Sequence, residues 1–164
     1  MRRLASAAAG LMCLISVMGS AATRASAQDL QWLGAVSEDG ASLTYGIPES
    51  DAALIDFTCD RGSGTVTVTL DYEPANAETG VKADITLAPG GGSADGEIVV
   101  SATGERLELD DKFVLQGTTE LTDGLQRLLL EAPSLSVTIE DGVEELPLED
   151  ARDAARKLIE ACKR

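Results

Sequence analysis

The chain lacks histidine entirely, and aromatic residues make up only 3% of its 164 residues. Without an imidazole, Ser-His-Asp and Cys-His catalysis in their usual forms, His-Glu-x-x-His zinc sites and common haem ligation are excluded. A glycosidase cleft usually needs aromatic walls, and both phenylalanines, Phe57 and Phe113, lie in phase with core residues. The sequence therefore predicts no catalytic residue and no cofactor site. A hydrolase that uses carboxylates alone stays open as an alternative.

Basic residues are also scarce, since 13 of them face 28 acidic residues and the net charge is −15. The imbalance is uneven: residues 28–150 contain 5 basic and 26 acidic residues, whereas residues 151–164 contain 5 basic and 2 acidic ones. A field of this sign repels phosphate backbones and anionic lipid, which argues against nucleic acid as a partner. It suits a cationic protein, metal ions or a salty medium. Solubility alone is the simpler explanation of the charge.

The N-terminus has the pattern of an export signal. Met1-Arg2-Arg3 precedes the uncharged run Leu4–Met18, and Ala25-Ser26-Ala27 forms an A-x-A cleavage site. The run is shorter than the ~20 residues that span a bilayer comfortably. We therefore predict a cleavable signal peptide over residues 1–27 and a periplasmic or secreted domain from Gln28, without stable membrane association after cleavage. An uncleaved anchor is the alternative.

Most of the remaining chain alternates apolar and polar residues, which is the period of a β-strand. In 65–70, for example, Val66, Val68 and Leu70 share one face and three threonines share the other. Asp39-Gly40 and Asp141-Gly142 predict two-residue hairpin turns. About nine short strands predict a single mainly β domain over 28–164, as an antiparallel β-sandwich or a partly open barrel. The candidate strands are 31–37, 42–47, 53–59, 65–70, 81–87, 97–103, 106–109, 112–116, 134–139 and 143–148.

Two segments have helical periodicity instead. Residues 122–131 predict a short helix that Thr122 or Asp123 caps and that ends before Pro133. Residues 149–162 predict the main helix, with acidic residues at its start and basic residues at its end, as the helix dipole favours. Its apolar stripe should pack on the sheet. The stripe comprises Ala151, Ala154, Ala155, Leu158, Ile159 and Cys162.

Two cysteines remain after the predicted signal peptide, because Cys13 leaves with it. Cys59 is in phase with Ile55 and Phe57 on a strand, and Cys162 lies on the apolar stripe of the last helix. Both sulfurs therefore point inward. In an oxidising compartment such a pair predicts a disulfide between Cys59 and Cys162.

Acidic clusters raise the question of calcium. Glu105, Glu108, Asp110 and Asp111 form one cluster, and a second one spans residues 140–145. Calcium needs six to eight converging oxygens, and neither cluster has the Asp-x-Asp-x-Asp-Gly pattern of a calcium loop. We therefore predict a solvated acidic edge and no metal site. The four residues of the first cluster are the candidates if calcium binds.

Two stretches resemble known secreted proteins. The stretch Asp56-Phe57-Thr58-Cys59-Asp60-Arg61-Gly62-Ser63-Gly64-Thr65-Val66-Thr67-Val68, and the ending Leu146-Pro147-Leu148-Glu149 before a helix that closes on Cys162, resemble β-proteins of alphaproteobacteria. These are secreted or periplasmic proteins near the invasion-associated locus B group. The resemblance implies a disulfide-bonded β-domain and no known activity.

A second similarity is to the periplasmic lysozyme inhibitors, small barrels with a Phe-x-Cys strand, a turn and a Val-rich strand. Their Ser-Gly-x-x-Tyr-like loop enters the active site of the enzyme, and Asp39–Tyr45 approximates it. The function that we expect is a non-enzymatic periplasmic binding or accessory protein. The sequence does not identify its partner, and a cationic protein is the candidate. An inhibitor of a cationic lysozyme-like enzyme and a carboxylate-based hydrolase remain the alternatives.

Overall fold

The computed structural model describes residues 30–91, 96–109, 111–140 and 142–163, so the predicted signal peptide lies outside the described residues. The described chain forms nine strands and two helices. Their bounds are β1 Gln31–Val36, β2 Gly40–Gly46, β3 Ala53–Asp60, β4 Thr65–Asp71, β5 Lys82–Pro89, β6 Ile98–Leu107, β7 Lys112–Glu120, α1 Asp123–Glu131, β8 Ser134–Ile139, β9 Gly142–Pro147 and α2 Arg152–Cys162.

All nine strands join one curled, half-barrel sheet in the order β1-β2-β3-β4-β7-β6-β5-β8-β9, and every neighbouring pair is antiparallel. The curl leaves β1 and β9 as the two edges. Helix α2 packs on β1, β2 and β3, and it also contacts α1. The prediction of a mainly β domain, built as a partly open barrel of about nine strands with a C-terminal helix, is confirmed.

The alternation in the sequence becomes an inside and an outside of the sheet. Val66, Val68 and Leu70 of β4 are buried in the core, while the threonines between them are partly exposed. From the helix side, Leu158 and Ile159 fill the inner face. Burying one such aliphatic side chain contributes about 1.5–3 kcal/mol. The described residues bury no polar or charged side chain, so the core is apolar throughout.

Two predicted strands, 97–103 and 106–109, are one strand, β6. The sequence suggested a break at Gly104, but this glycine lies inside the strand because the Phe113 ring occupies the space of a side chain. A Cβ added at Gly104 would lie 2.5 Å from the Phe113 Cζ. The glycine therefore serves close packing and does not end the strand. Strand β7 likewise continues to Glu120, beyond the predicted end at residue 116.

The helix boundaries differ in one place. Helix α1 begins after Thr122, whose hydroxyl accepts a hydrogen bond from the Leu125 N–H at 3.2 Å, as a threonine N-cap should. Helix α2 starts at Arg152 and not at residue 149. Residues 148–151 form a turn instead, in which the Ala151 N–H donates to the Leu148 carbonyl at 3.2 Å.

Both predicted hairpin turns are displaced by one residue. The Ser37 N–H donates to the Gly40 carbonyl at 2.8 Å, so the first two-residue loop is Glu38-Asp39 and Gly40 begins β2. A Cβ at Gly40 would collide with the Cys59 carbonyl oxygen, which explains the glycine by close backbone approach. Gly142 likewise begins β9. Asp141, the other half of the second predicted turn, lies outside the described residues.

Candidate functional site

The predicted pairing of Cys59 with Cys162 is present in the structure. It joins β3 to the last residue of α2, with the two Cα atoms 5.8 Å apart across 103 residues of sequence. The β3–β4 turn holds the same helix end, because Gly62 N–H donates to the Ala161 carbonyl at 2.8 Å and Gly64 N–H donates to the Cys162 carbonyl at 2.9 Å. Both cysteines are buried, so this link is structural.

The aromatic residues of β1, β2 and β3, the strands that α2 covers, are also structural. Trp32 of β1 donates its indole N–H to the carbonyl of Pro147, the last residue of β9, at 2.5 Å. Its ring packs against Tyr45, with ring centroids 5.0 Å apart, and against Phe57 at 6.4 Å. These rings therefore link the two edges of the curled sheet and fill its core. They do not line a sugar-binding cleft.

Both helices cover the inner face of the sheet. Leu125 and Leu129 of α1 and Ala155 and Leu158 of α2 are fully buried there. In barrels that carry a small ligand, this interior holds the binding cavity. In the described part of the chain, side chains of the sheet and of both helices occupy this interior.

One end of the sheet brings together nine of the described acidic residues. The connections β2–β3, β4–β5, β6–β7 and β8–β9 all meet at this end, because antiparallel pairing returns the chain to it four times. Contacts tie the connections together: Tyr72 lies beside Gly142, and the Gly80 N–H donates to the Gly104 carbonyl at 2.7 Å. We call this surface the acidic end. Its described acidic residues are Glu49, Asp51, Asp71, Glu73, Glu78, Glu105, Glu108, Asp111 and Glu140.

Three basic residues, Lys82, Arg106 and Lys112, lie among these nine acidic ones. The Arg106 guanidinium donates to Glu73 at 2.5 Å and to Asp111 at 3.2 Å, and it lies 5.4 Å from the centroid of the Phe113 ring. The hydrogen bond with Glu73 is the main reason that the pKa of Arg106 is raised. One cation thus connects the β4–β5 and β6–β7 loops.

Lys112 makes a second connection of the same kind. Its ammonium lies 3.7 Å from the Asp71 carboxylate and donates to the Asp51 backbone carbonyl at 3.0 Å. It therefore ties the β2–β3 loop to the end of β4. With Arg106 and Lys112 already paired, the remaining acidic side chains of the acidic end outnumber the cations available to them.

The three calcium candidates that the structure describes, Glu105, Glu108 and Asp111, do not converge. Asp111 pairs with Arg106, while Glu105 and Glu108 border a shallow surface concavity together with Asp51 and Thr79. Asp110 lies outside the described residues. Within the described ranges, no group of three or more His, Cys, Asp or Glu side chains is placed to hold a metal ion.

Asp56 lies on the outer face of the sheet, in strand β3. Burial raises the pKa of the Asp56 carboxyl, and the hydrogen bond that Thr44 donates to it opposes this effect. The strand neighbours of Asp56 are Thr44 and Thr69, so no second carboxylate faces it across either strand pair. A carboxylate-based hydrolase needs two facing acids, and Asp56 does not supply such a pair.

The segment Asp39–Tyr45, which approximates the inhibitor loop, lies almost wholly in strand β2. Tyr45 packs on Trp32 and does not project outward. The segment is thus part of the sheet.

Sequence reasoning identified the 105–111 cluster but not the acidic residues at 49, 51, 71, 73 and 78 that lie beside it. These residues are far from the cluster in sequence, and only the placement of β4 next to β7 brings them together. The sequence alone does not single out this end, because connections at the opposite end also contain acidic residues, among them Glu38, Asp39 and Glu97.

No protein-family model, curated protein or solved structure matches this chain. Neither helix of the described chain is long and apolar enough to cross a membrane.

Proposed function

We propose that this protein is a non-enzymatic binding or accessory protein that works outside the cytoplasm, and that its acidic end binds a cationic protein. The observation that carries the proposal is the meeting of nine acidic side chains at one end of the sheet, where two of the three cations are already paired. The packed interior supports a surface interaction over a small-molecule site.

The physical basis of recognition is long-range attraction followed by contact with loops that are already ordered. A concentrated negative field steers a cationic partner and raises its association rate, an effect that salt screens over ~10 Å at 0.1 M. Arg106 and Lys112 tie the loops of the acidic end together. Fewer degrees of freedom are then lost on binding, which favours affinity.

Export is the other half of the proposal. The signal-like N-terminus over residues 1–27 supports it, and so does the Cys59–Cys162 disulfide, because structural disulfides persist in oxidising compartments. A periplasmic or secreted location also places the acidic end among the cationic proteins of the cell envelope.

A lysozyme-like enzyme is one cationic partner, and the similarity to lysozyme inhibitors favours it. Since Asp39–Tyr45 lies in β2, we place the contact with such an enzyme at the acidic end. Inhibition then arises from loops that cover the cationic rim of the active site.

The test measures binding of a cationic lysozyme to protein produced from the full-length sequence, by biolayer interferometry at low and high sodium chloride. The variant is Glu105→Gln with Glu108→Gln. Its matched control, Glu120→Gln with Glu131→Gln, removes the same charge away from the acidic end. We expect the variant to weaken binding at least fivefold at low salt and the control to stay within twofold of the parent.

Equal losses in both variants would show that only net charge matters and would refute a site at the acidic end. An absence of binding to any cationic protein would refute the proposed function. A parallel assay of cell-wall lysis separates the two versions of the proposal, because a loss of lysozyme activity indicates an inhibitor and unchanged activity indicates binding alone.

A further inference from the structure

The outer edge of β1 is exposed from Gly34 to Val36, whereas the Trp32 side chain at its start is buried and donates to the Pro147 carbonyl of β9. The hairpin closes with a hydrogen bond from the Ser37 N–H to the Gly40 carbonyl, so Gln31, Leu33 and Ala35 bond to β2. Alternation in an antiparallel ladder then turns the N–H and C=O groups of Trp32, Gly34 and Val36 away from β2. No hydrogen bond to these outward groups is made by any residue that the structure describes.

The edge is also apolar and uncharged. Residues 30–36 contain no charged residue and no proline, although the chain as a whole is strongly acidic. Leu30 and Val36 are 41% and 51% exposed, and they are two of the large apolar side chains that remain at the surface of the described chain. Natural sheets block exposed edges with charge, proline or a bulge, because an open edge templates pairing with another strand.

The opposite edge, β9, has these protections. Glu144 and Glu145 place two negative charges on it, and Pro147 occupies its last position. Proline cannot donate a hydrogen bond to an added strand. The contrast between the two edges singles out β1 as the pairing edge.

The open groups of β1 are complementary to a second copy of themselves. Trp32, Gly34 and Val36 are spaced symmetrically about Gly34. In antiparallel pairing across a two-fold axis, Gly34 therefore meets Gly34 of the second copy and Trp32 meets Val36. All the outward backbone groups then find partners in a self-complementary contact, as cyclic dimers require.

Repulsion between two acidic copies is smallest at this edge. Helix α2 lies beside β1, and residues 151–164 have a net positive charge, unlike residues 28–150. Lys157 and Glu160 of α2 border the groove next to Gly34 and Val36.

We propose that two copies of this protein associate through antiparallel pairing of their β1 strands, centred on Gly34, to form one continuous sheet across the dimer. This inference is independent of the proposed function. Because two acidic bodies approach each other, added salt should strengthen the dimer, whereas salt should weaken binding of a cationic partner.

The test is sedimentation equilibrium of protein produced from the full-length sequence, over a wide concentration range and at two salt concentrations. The variant Val36→Lys adds a charge to the β1 edge, and the matched control Val143→Lys makes the same substitution at an exposed valine of the β9 edge. We expect a monomer–dimer equilibrium whose dissociation constant rises at least tenfold in Val36→Lys and stays within twofold in Val143→Lys.

Both lysines lower the net negative charge, so a loss in Val36→Lys alone cannot come from general repulsion. Amide exchange on the unmodified protein provides a second readout. Exchange at Gly34 and Val36 should slow as concentration rises, while exchange at Val143 and Glu145 should not. A protein that stays monomeric at every concentration, equal effects of the two variants, or concentration-dependent protection on β9 would each overturn the proposal.

Discussion

Removal of the link between Cys59 and Cys162 should destabilise the domain by several kcal/mol. The bond closes a loop of 103 residues. In the chain-entropy model, a loop of about 100 residues stabilises the fold by about 4.7 kcal/mol, because the unfolded chain loses freedom. Two hydrogen bonds from the β3–β4 turn and the buried side chain of Leu158 still hold α2 after the bond is removed. We therefore expect a folded protein of lower stability.

The measurement is urea unfolding followed by far-ultraviolet circular dichroism, with the double variant Cys59→Ala, Cys162→Ala. A loss of 4–5 kcal/mol corresponds to a fall of roughly 15 °C in melting temperature for a domain of this size. The parent protein in reductant separates the cross-link from packing, since it keeps both sulfur atoms. Reductant should lower the stability of the parent and leave that of the double variant unchanged.

If the double variant and the parent unfold at the same urea concentration, the reasoning is refuted. The same holds if reductant has no effect on a parent whose thiols are shown by mass spectrometry to be free. In either case the link would not constrain the unfolded chain.

Two further predictions concern the core and the outer face. Leu158→Ala should lower the free energy of unfolding by about 2–4 kcal/mol because Leu158 is fully buried on α2. Lys157→Ala, on the exposed side of the same helix, should change the free energy of unfolding by less than about 0.5 kcal/mol. Urea unfolding of both variants measures these changes. Asp56→Asn should raise stability at neutral pH. Burial raises the pKa of Asp56 above the ordinary value of about 3.8 that it has in the unfolded chain. The folded state therefore binds a proton more tightly than the unfolded state and loses stability as pH rises through the folded pKa. The advantage of the asparagine variant should therefore vanish below about pH 3.8. The check is to measure the melting temperatures of both proteins across pH. A difference in melting temperature that stays constant with pH would contradict the prediction.

Local periodicity was sufficient to predict most elements. The alternation in 65–70 predicted both the strand and its buried face, because side chains of a strand alternate between two faces whatever lies next to it. Thr122 predicted the start of α1 for an equally local reason, since its hydroxyl bonds a backbone N–H three residues ahead. The two glycine errors share a cause. Gly40 and Gly104 are needed for close contacts with Cys59 and Phe113, which are distant in sequence. The first turn was therefore predicted one residue too late, and β6 was predicted as two strands.

The sequence by itself determined the strand content, the inward direction of both cysteines and the excess of negative charge. These follow from spacing and composition, which act over a few residues or over the chain as a whole. Only the tertiary structure decided the strand order, with β4 beside β7 and β5 beside β8. Strand order depends on which apolar faces pack together, and many orders satisfy one alternating pattern. That order brings the acidic loops to one end, closes the interior with α2 and leaves β1 as an open, uncharged edge.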